Sequence, residues 1–162
     1  MFKKLSVLIP VYNEKFTIKK CVERVLSADT RGLDLEVIIS DNNSNDGTKE
    51  ILEQIKDDRV KIFYRTTNDG KGANIKNALS HSSGDLILFQ DADLEYSPSD
   101  FKDLLQPFFL YQADVVYGSR LTRAKSTRIV GFPNYVANTI ITFLCNLFYN
   151  KIFTDIATGY KV

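Results

Sequence analysis

Leu5-Ser-Val-Leu-Ile-Pro-Val11 and Leu35-Glu-Val-Ile-Ile-Ser-Asp41 decide the fold. Both are short apolar runs rich in β-branched residues, the pattern of strands buried on both faces. Between them the period changes. Ile18, Cys21, Val22, Val25 and Leu26 stand at i, i+3, i+4, i+7 and i+8, one face of an amphipathic helix. Asn13 or Thr17 is placed to cap it.

The same alternation continues outward. Val60-Lys-Ile-Phe-Tyr64, Asp85-Leu-Ile-Leu-Phe-Gln90 and Asp114-Val-Val-Tyr-Gly-Ser119 read as a third, fourth and fifth strand. Helices are expected around Ile51, Leu52 and Ile55; around Ile75, Ala78, Leu79 and Ser82; and around Phe101, Leu104, Leu105 and Phe108. Ser97-Pro98-Ser99-Asp100 is a helix-start signal, and Pro107 is expected to kink or end the helix that follows. Strands alternating with helices predict an α/β fold, a mostly parallel sheet with helices on both faces. Ligands of such sheets bind at the carboxyl ends of the strands.

Composition removes whole classes. With 162 residues, 44% hydrophobic and 25% charged, the chain is neither disordered nor in need of a metal or disulfide to fold. Twenty-one basic against twenty acidic residues argue against nucleic-acid binding by bulk charge. Cys21 and Cys145 are far apart and belong to no metal or disulfide spacing, so both are expected as small buried hydrophobes. The first apolar run ends at Pro10, which is no secretory signal, and reduced cysteines make a cytoplasmic location the expectation.

Three segments after strands carry chemistry. Asp91-Ala92-Asp93 places two carboxylates one residue apart at the end of the fourth strand. Hard oxygen donors there suit Mg²⁺ or Mn²⁺ bridging to substrate phosphates, and Glu95 is positioned to join them. Asp41 ends the second strand and opens the polar turn Asp41-Asn-Asn-Ser-Asn-Asp-Gly-Thr48, in which Asp46 is a cap for the next helix. Its carboxylate can accept hydrogen bonds from a nucleobase or ribose. Gly70-Lys71-Gly72 allows close backbone approach to phosphate, with charge from Lys71. It matches neither the P-loop nor the dinucleotide glycine pattern, and it reads most simply as a loop before a helix. His81, late in a helix, is expected at the surface or helix end.

The last third differs. Arg120, Arg123, Lys125 and Arg128 form a basic run, and residues 129–150 carry no charge. Asn134, Asn138, Thr142 and Asn146 recur every four residues among Val136, Ile140, Phe143, Leu144, Leu147 and Phe148. A helix from Tyr135 to Asn150 spans about 24 Å, short of a bilayer core of roughly 30 Å. It is expected to lie on a protein core or a membrane surface.

Leu8-Ile-Pro-Val-Tyr-Asn-Glu14, Ser40 to Thr48, Gly70-Lys-Gly-Ala73, Gly84-Asp85 leading to Asp91-Ala-Asp-Leu-Glu95, Val116-Tyr-Gly-Ser-Arg120 and Thr154-Asp-Ile-Ala-Thr-Gly-Tyr-Lys161 occur in one order. In that order the chain resembles family 2 glycosyltransferases, most closely the dolichyl-phosphate mannosyltransferase and polyprenyl-phosphate glycosyltransferase branch. The resemblance implies a GT-A, Rossmann-like nucleotide-sugar-binding domain, with 1–119 as its core. Residues 120–162 would then be a basic loop, an interfacial helix and an acceptor-side segment of the same domain. It assigns Pro10, Tyr12, Glu14, Ile39 and Asp41 to the nucleoside. Asp91, Asp93 and Glu95 go to a Mg²⁺ or Mn²⁺ ion and the diphosphate, with Ala92 between them counted as substrate-binding. Arg120 goes to the phosphates, with Lys71 sharing their charge. The usual D-D-G-S turn is Asp41-Asn42-Asn43-Ser44 here.

The implied reaction is inverting, metal-dependent transfer of a sugar from a nucleotide sugar to a polyprenyl phosphate at the cytoplasmic face of a membrane. Asp93 and Asp155 would be the catalytic residues, Asp155 as base or acceptor-orienting group. The alternatives are transfer to a saccharide hydroxyl, or a donor-binding fragment without turnover. Family members continue further, so a C-terminally truncated chain is expected.

Overall fold

The computed structural model describes residues 2–121 and 131–162. Four parallel strands, β1 (Lys4–Val11), β2 (Asp34–Asp41), β3 (Val60–Tyr64) and β4 (Leu86–Phe89), form one sheet in the order β3-β2-β1-β4. The helices are α1 (Ile18–Leu26), α2 (Thr48–Leu52), α3 (Gly70–Ser80), α4 (Phe101–Leu110) and α5 (Phe132–Tyr149), and a 3₁₀ turn at Pro98–Asp100 leads into α4.

Alternation along the strands divides the core. Leu5, Val7 and Ile9 of β1 pack with Cys21, Val22 and Val25 of α1 and with Phe101 and Leu105 of α4. Leu8 and Ile38 turn to the other face, against Ala78 of α3. The expected doubly covered parallel sheet is therefore present.

Four local expectations change. Asp114–Ser119 is not a fifth strand. Only Tyr117 bridges, antiparallel to Lys161, with Val116 and Val162 exchanging two 2.9 Å hydrogen bonds. Pro107 lies inside α4, which runs three residues further before Tyr111 N–H closes it on the Pro107 carbonyl. Gly70-Lys71-Gly72 is the first turn of α3 rather than a loop before it. Gly70 has φ +84°, which glycine adopts at no steric cost, and its N–H bonds Asn68 Oδ1. Thr17 stands at the start of α1, but its hydroxyl donates to Glu14 instead of capping.

At the amino ends of the strands, Glu36 is 3% exposed. It accepts from Ser6 Oγ (2.6 Å), Lys61 Nζ (2.7 Å), Lys4 Nζ (3.0 Å) and Ser83 N (3.0 Å). Burial alone would raise its carboxyl. The bonds from Lys61, Ser6, Ser83 and Lys4 outweigh it and hold the group well below the usual range. A depressed folded value means stability that is present above the unfolded value near 4.5 and lost as pH falls below it. Glu36→Gln is expected to cost about 2 kcal/mol in urea unfolding at neutral pH. Its stability should also change less than wild type's on going to about pH 3.5. Equal acid sensitivity of the two proteins would refute this role.

Candidate active site

A cavity of about 310 Å³ opens where β1 and β4 end and α3 begins. Pro10, Tyr12, Glu14, Lys71, Asp91, Ala92 and Asp93, all expected at the site, line it. The turn after β2 fixes the turn after β1. Asp41 Oδ2 accepts Ser44 N–H (3.0 Å), Ser44 Oγ accepts Asn13 N–H (2.9 Å), and Asn13 Oδ1 accepts Asn45 N–H (2.9 Å). Thr48 Oγ1 accepts Glu14 N–H at 2.8 Å. The N-cap of α2 is Gly47 rather than the expected Asp46, whose Oδ1 accepts Thr48 N–H at 3.0 Å in a turn just before the helix. Asn13 (φ 57°) and Asn43 (φ 64°) take the left-handed backbone that asparagine tolerates.

Sequence reasoning missed Asn42, Asn68 and Asn74 in the lining. The expected apolar face of α3 is rotated. Asn74 and Ala78 are buried while Leu79 is exposed. Asn74 Nδ2 donates to the Val11 (3.2 Å) and Ser40 (2.8 Å) carbonyls, satisfying the ends of two adjacent strands. The signal was an asparagine one turn before Ala78 on a helix following a strand.

Other expected residues stand outside the lining. Ile39 is in the core, and Asp41 is fully buried outside the lining, with Oδ1 lacking a hydrogen-bond partner. Glu95 is not in the lining. Leu94 (φ 63°) turns the chain there and packs its side chain on the core. Among the described residues no three acidic, His or Cys side chains gather as a metal cage. Of the expected trio, Asp91 and Asp93 line the cavity. A divalent ion held by one or two carboxylates plus substrate phosphates needs no more than these. Asp91 Oδ1 is 2.6 Å from Lys71 Nζ. Behind it lies Cys21, whose thiol is pushed up to about 12 by burial and then by Asp93 and Glu14. His81 caps the end of α3 and stacks on Phe63 at 3.7 Å.

Arg120 and Asp155 form a second cluster. Arg120 Nε and a terminal nitrogen each bond Asp155 at 2.8 Å, its backbone N–H adds a third bond at 3.0 Å, and Asn138 Nδ2 a fourth at 2.8 Å. Burial would raise the Asp155 carboxyl, but Arg120 and Asn138 outweigh it and hold it low. The uncharged stripe of α5 explains the placement. Asn138, Thr142 and Asn146 point inward and bond Ala157 N, Ile156 N and both backbone groups of Phe153. The apolar side faces out, with Phe143 and Leu147 each 64% exposed. Arg123, Lys125 and Arg128 lie outside the described residues.

The family model "Glycosyl transferase family 2" matches residues 6–160. The chain is 34% identical over 106 residues to a Campylobacter jejuni protein named GalNAc(5)-diNAcBac-PP-undecaprenol beta-1,3-glucosyltransferase, covering 64% of this chain and 34% of that one. It is 29% identical over 133 residues to dolichol-phosphate mannosyltransferase of Pyrococcus furiosus, covering 82% and 37%. Among solved structures, mannosyltransferase PcManGT from Pyrobaculum calidifontis, in complex with GDP-Man and Mn²⁺, superposes with a TM-score of 0.52. It is 27% identical and covers 60% of this chain and 29% of that one. The chain spans about a third of the length of these curated relatives.

Asp155→Asn removes the charge from a buried, fourfold hydrogen-bonded carboxylate. It is expected to destabilise the protein by about 3 kcal/mol in denaturant titration. An unchanged midpoint would show that the Arg120–Asp155 cluster does not hold α5 to the sheet.

Proposed function

Because the chain belongs to glycosyl transferase family 2 and has its GT-A fold, we propose that it moves a sugar from a nucleotide-sugar donor to a polyprenyl phosphate. The observation that carries this is the convergence of Asp91, Asp93 and Lys71 on one cavity at the strands' carboxyl ends. Tyr12 and Glu14 flank the nucleoside end of that cavity. The unpartnered Asp41 Oδ1 outside its lining is an acceptor for a nucleoside N–H or hydroxyl. Asp91 and Asp93 would hold Mg²⁺ or Mn²⁺, which as a Lewis acid neutralises a leaving diphosphate.

The acceptor phosphate oxygen attacks the anomeric carbon as the bond to the diphosphate oxygen breaks. The electron pair leaves with the nucleoside diphosphate, and the configuration inverts. Lys71 offers its ammonium to the charge developing on that diphosphate. A phosphate is largely ionised at neutral pH and needs no general base. Asp155, with both oxygens engaged, fits this chemistry as the residue that positions Arg120 rather than as a base. The name of the Campylobacter jejuni relative keeps a lipid-linked saccharide as the competing acceptor.

Among the described residues no helix is long and apolar enough to cross a membrane. The outward face of α5, with Ile140, Phe143, Leu147 and Phe148 exposed, is proposed to rest on the surface of the membrane that carries the acceptor. Residues 120–162 would then be the acceptor side of the domain. The basic residues Arg123, Lys125 and Arg128 add attraction to anionic headgroups, about 1 kcal/mol per cation.

Two experiments test this reading. Asp93→Asn is expected to fold normally and to lose Mn²⁺-dependent binding of GDP-mannose or UDP-sugars in titration calorimetry, by at least about tenfold. Metal-independent affinity in wild type would refute the metal assignment. Wild type is expected to sediment with anionic liposomes at low salt, and Phe143→Glu with Leu147→Glu to abolish this. Sedimentation unaffected by both changes would remove α5 from the membrane contact.

A further inference from the structure

We infer that Lys161 is a phosphate-binding residue of this site, an assignment that rests on the donor-site reading above. It is not among the residues that line the cavity, but its backbone runs beside it. The Lys161 carbonyl accepts Phe89 N–H at 3.1 Å, so residue 161 lies beside the last residue of β4, two positions before Asp91. On its other side it pairs with Tyr117, three residues before Arg120. The segment 160–162 therefore joins the Asp91 end of the cavity to the Arg120–Asp155 cluster.

The side chain has a charge without a counter-ion. Lys161 Nζ donates to the Thr158 carbonyl at 2.5 Å and stands 5.4 Å from the Tyr117 ring centroid. No carboxylate of the described residues pairs with it. The two that act on its charge are already taken, Asp91 by Lys71 at 2.6 Å and Asp155 by Arg120 at 2.8 Å. Lys71 and Arg120 are thus each paired, and Lys161 brings a third cation to this side of the sheet. Burial and then the nearby Lys71 push the Lys161 ammonium below its ordinary value, as expected of a half-buried cation that lacks an anion. An ammonium has three donors, and a single carbonyl leaves two of them for phosphate oxygens. That phosphate is either the donor's diphosphate or the acceptor's monophosphate.

The test uses the whole chain and three probes in titration calorimetry: GDP with Mn²⁺, UDP with Mn²⁺, and farnesyl phosphate. Lys161→Met is expected to weaken at least one by about tenfold or more, the loss of a charge-assisted hydrogen bond. Lys161→Arg, which keeps the charge, is expected to retain most of the affinity. Loss confined to the nucleotides assigns Lys161 to the diphosphate; loss confined to farnesyl phosphate assigns it to the acceptor. A folded Lys161→Met that binds every probe as wild type does overturns the inference and leaves the donor site standing. Wild type that binds neither nucleotide overturns both. Should Lys161→Met melt early, acetylation of the wild-type lysines followed by peptide mapping decides. Lys161 is expected to be protected by the bound probe, and labelling at an unchanged rate overturns the inference.

Discussion

All four strands run the same way, so their carboxyl ends finish along one edge of the sheet with carbonyls and N–H groups to satisfy. The rest of the structure follows from how that edge is finished. Asn74 reaches across from α3 to bond the ends of β1 and β2. The Asp41–Ser44–Asn13–Asn45 chain ties the two following turns to each other. These short polar side chains complete the backbone bonding where the ladders stop. They also leave a concave surface into which Asp91, Asp93 and Lys71 project. A cavity for a charged ligand is thus a by-product of ending a parallel sheet without leaving its polar groups bare.

The C-terminal segment is held by the reverse of ordinary amphipathic packing. In α5 Asn138, Thr142 and Asn146 face inward and the large apolar side chains face out. Asn138, Thr142 and Asn146 serve the backbone of 153–157, and Asn138, through Asp155, helps fix Arg120. A purely apolar contact would slide at little cost, whereas these directional bonds give α5 one register.

Much of this was legible in the sequence because its period is strong. β1, β2, α1 and the Asp91-Ala92-Asp93 turn need only local patterns and the rule that ligands sit at strand ends. Asp114–Ser119 looked like a strand from its Val-Val-Tyr core, but its partner is the distant segment 160–162, and a three-bond pairing leaves no local trace. Asn74 was hidden because apolar periodicity reads a helix's greasy face, and here strand-end carbonyls drew in an amide instead. The left-handed Leu94 between Asp93 and Glu95 could not be read from the sequence, since ordinary propensities disfavour it. The polar stripe of α5 was visible, yet its inward direction depends on what residues 153–157 offer it.

The pairing of Lys161 with Phe89 sets an order of assembly. During synthesis, β1 to β4 leave the ribosome well before residues 153–162, and an N-terminal unit can begin to fold while the remainder is still being made. The sheet, the Asn74 staple and the Asp91-Ala92-Asp93 turn can therefore form on a nascent chain. Gly159, packed on Asp91 and Tyr96, and the strand-like segment after it can dock only later. Until they do, the β4 edge is an open template for pairing with another chain. The docking of 160–162 thus covers part of the edge along which a nascent sheet would otherwise pair with another chain.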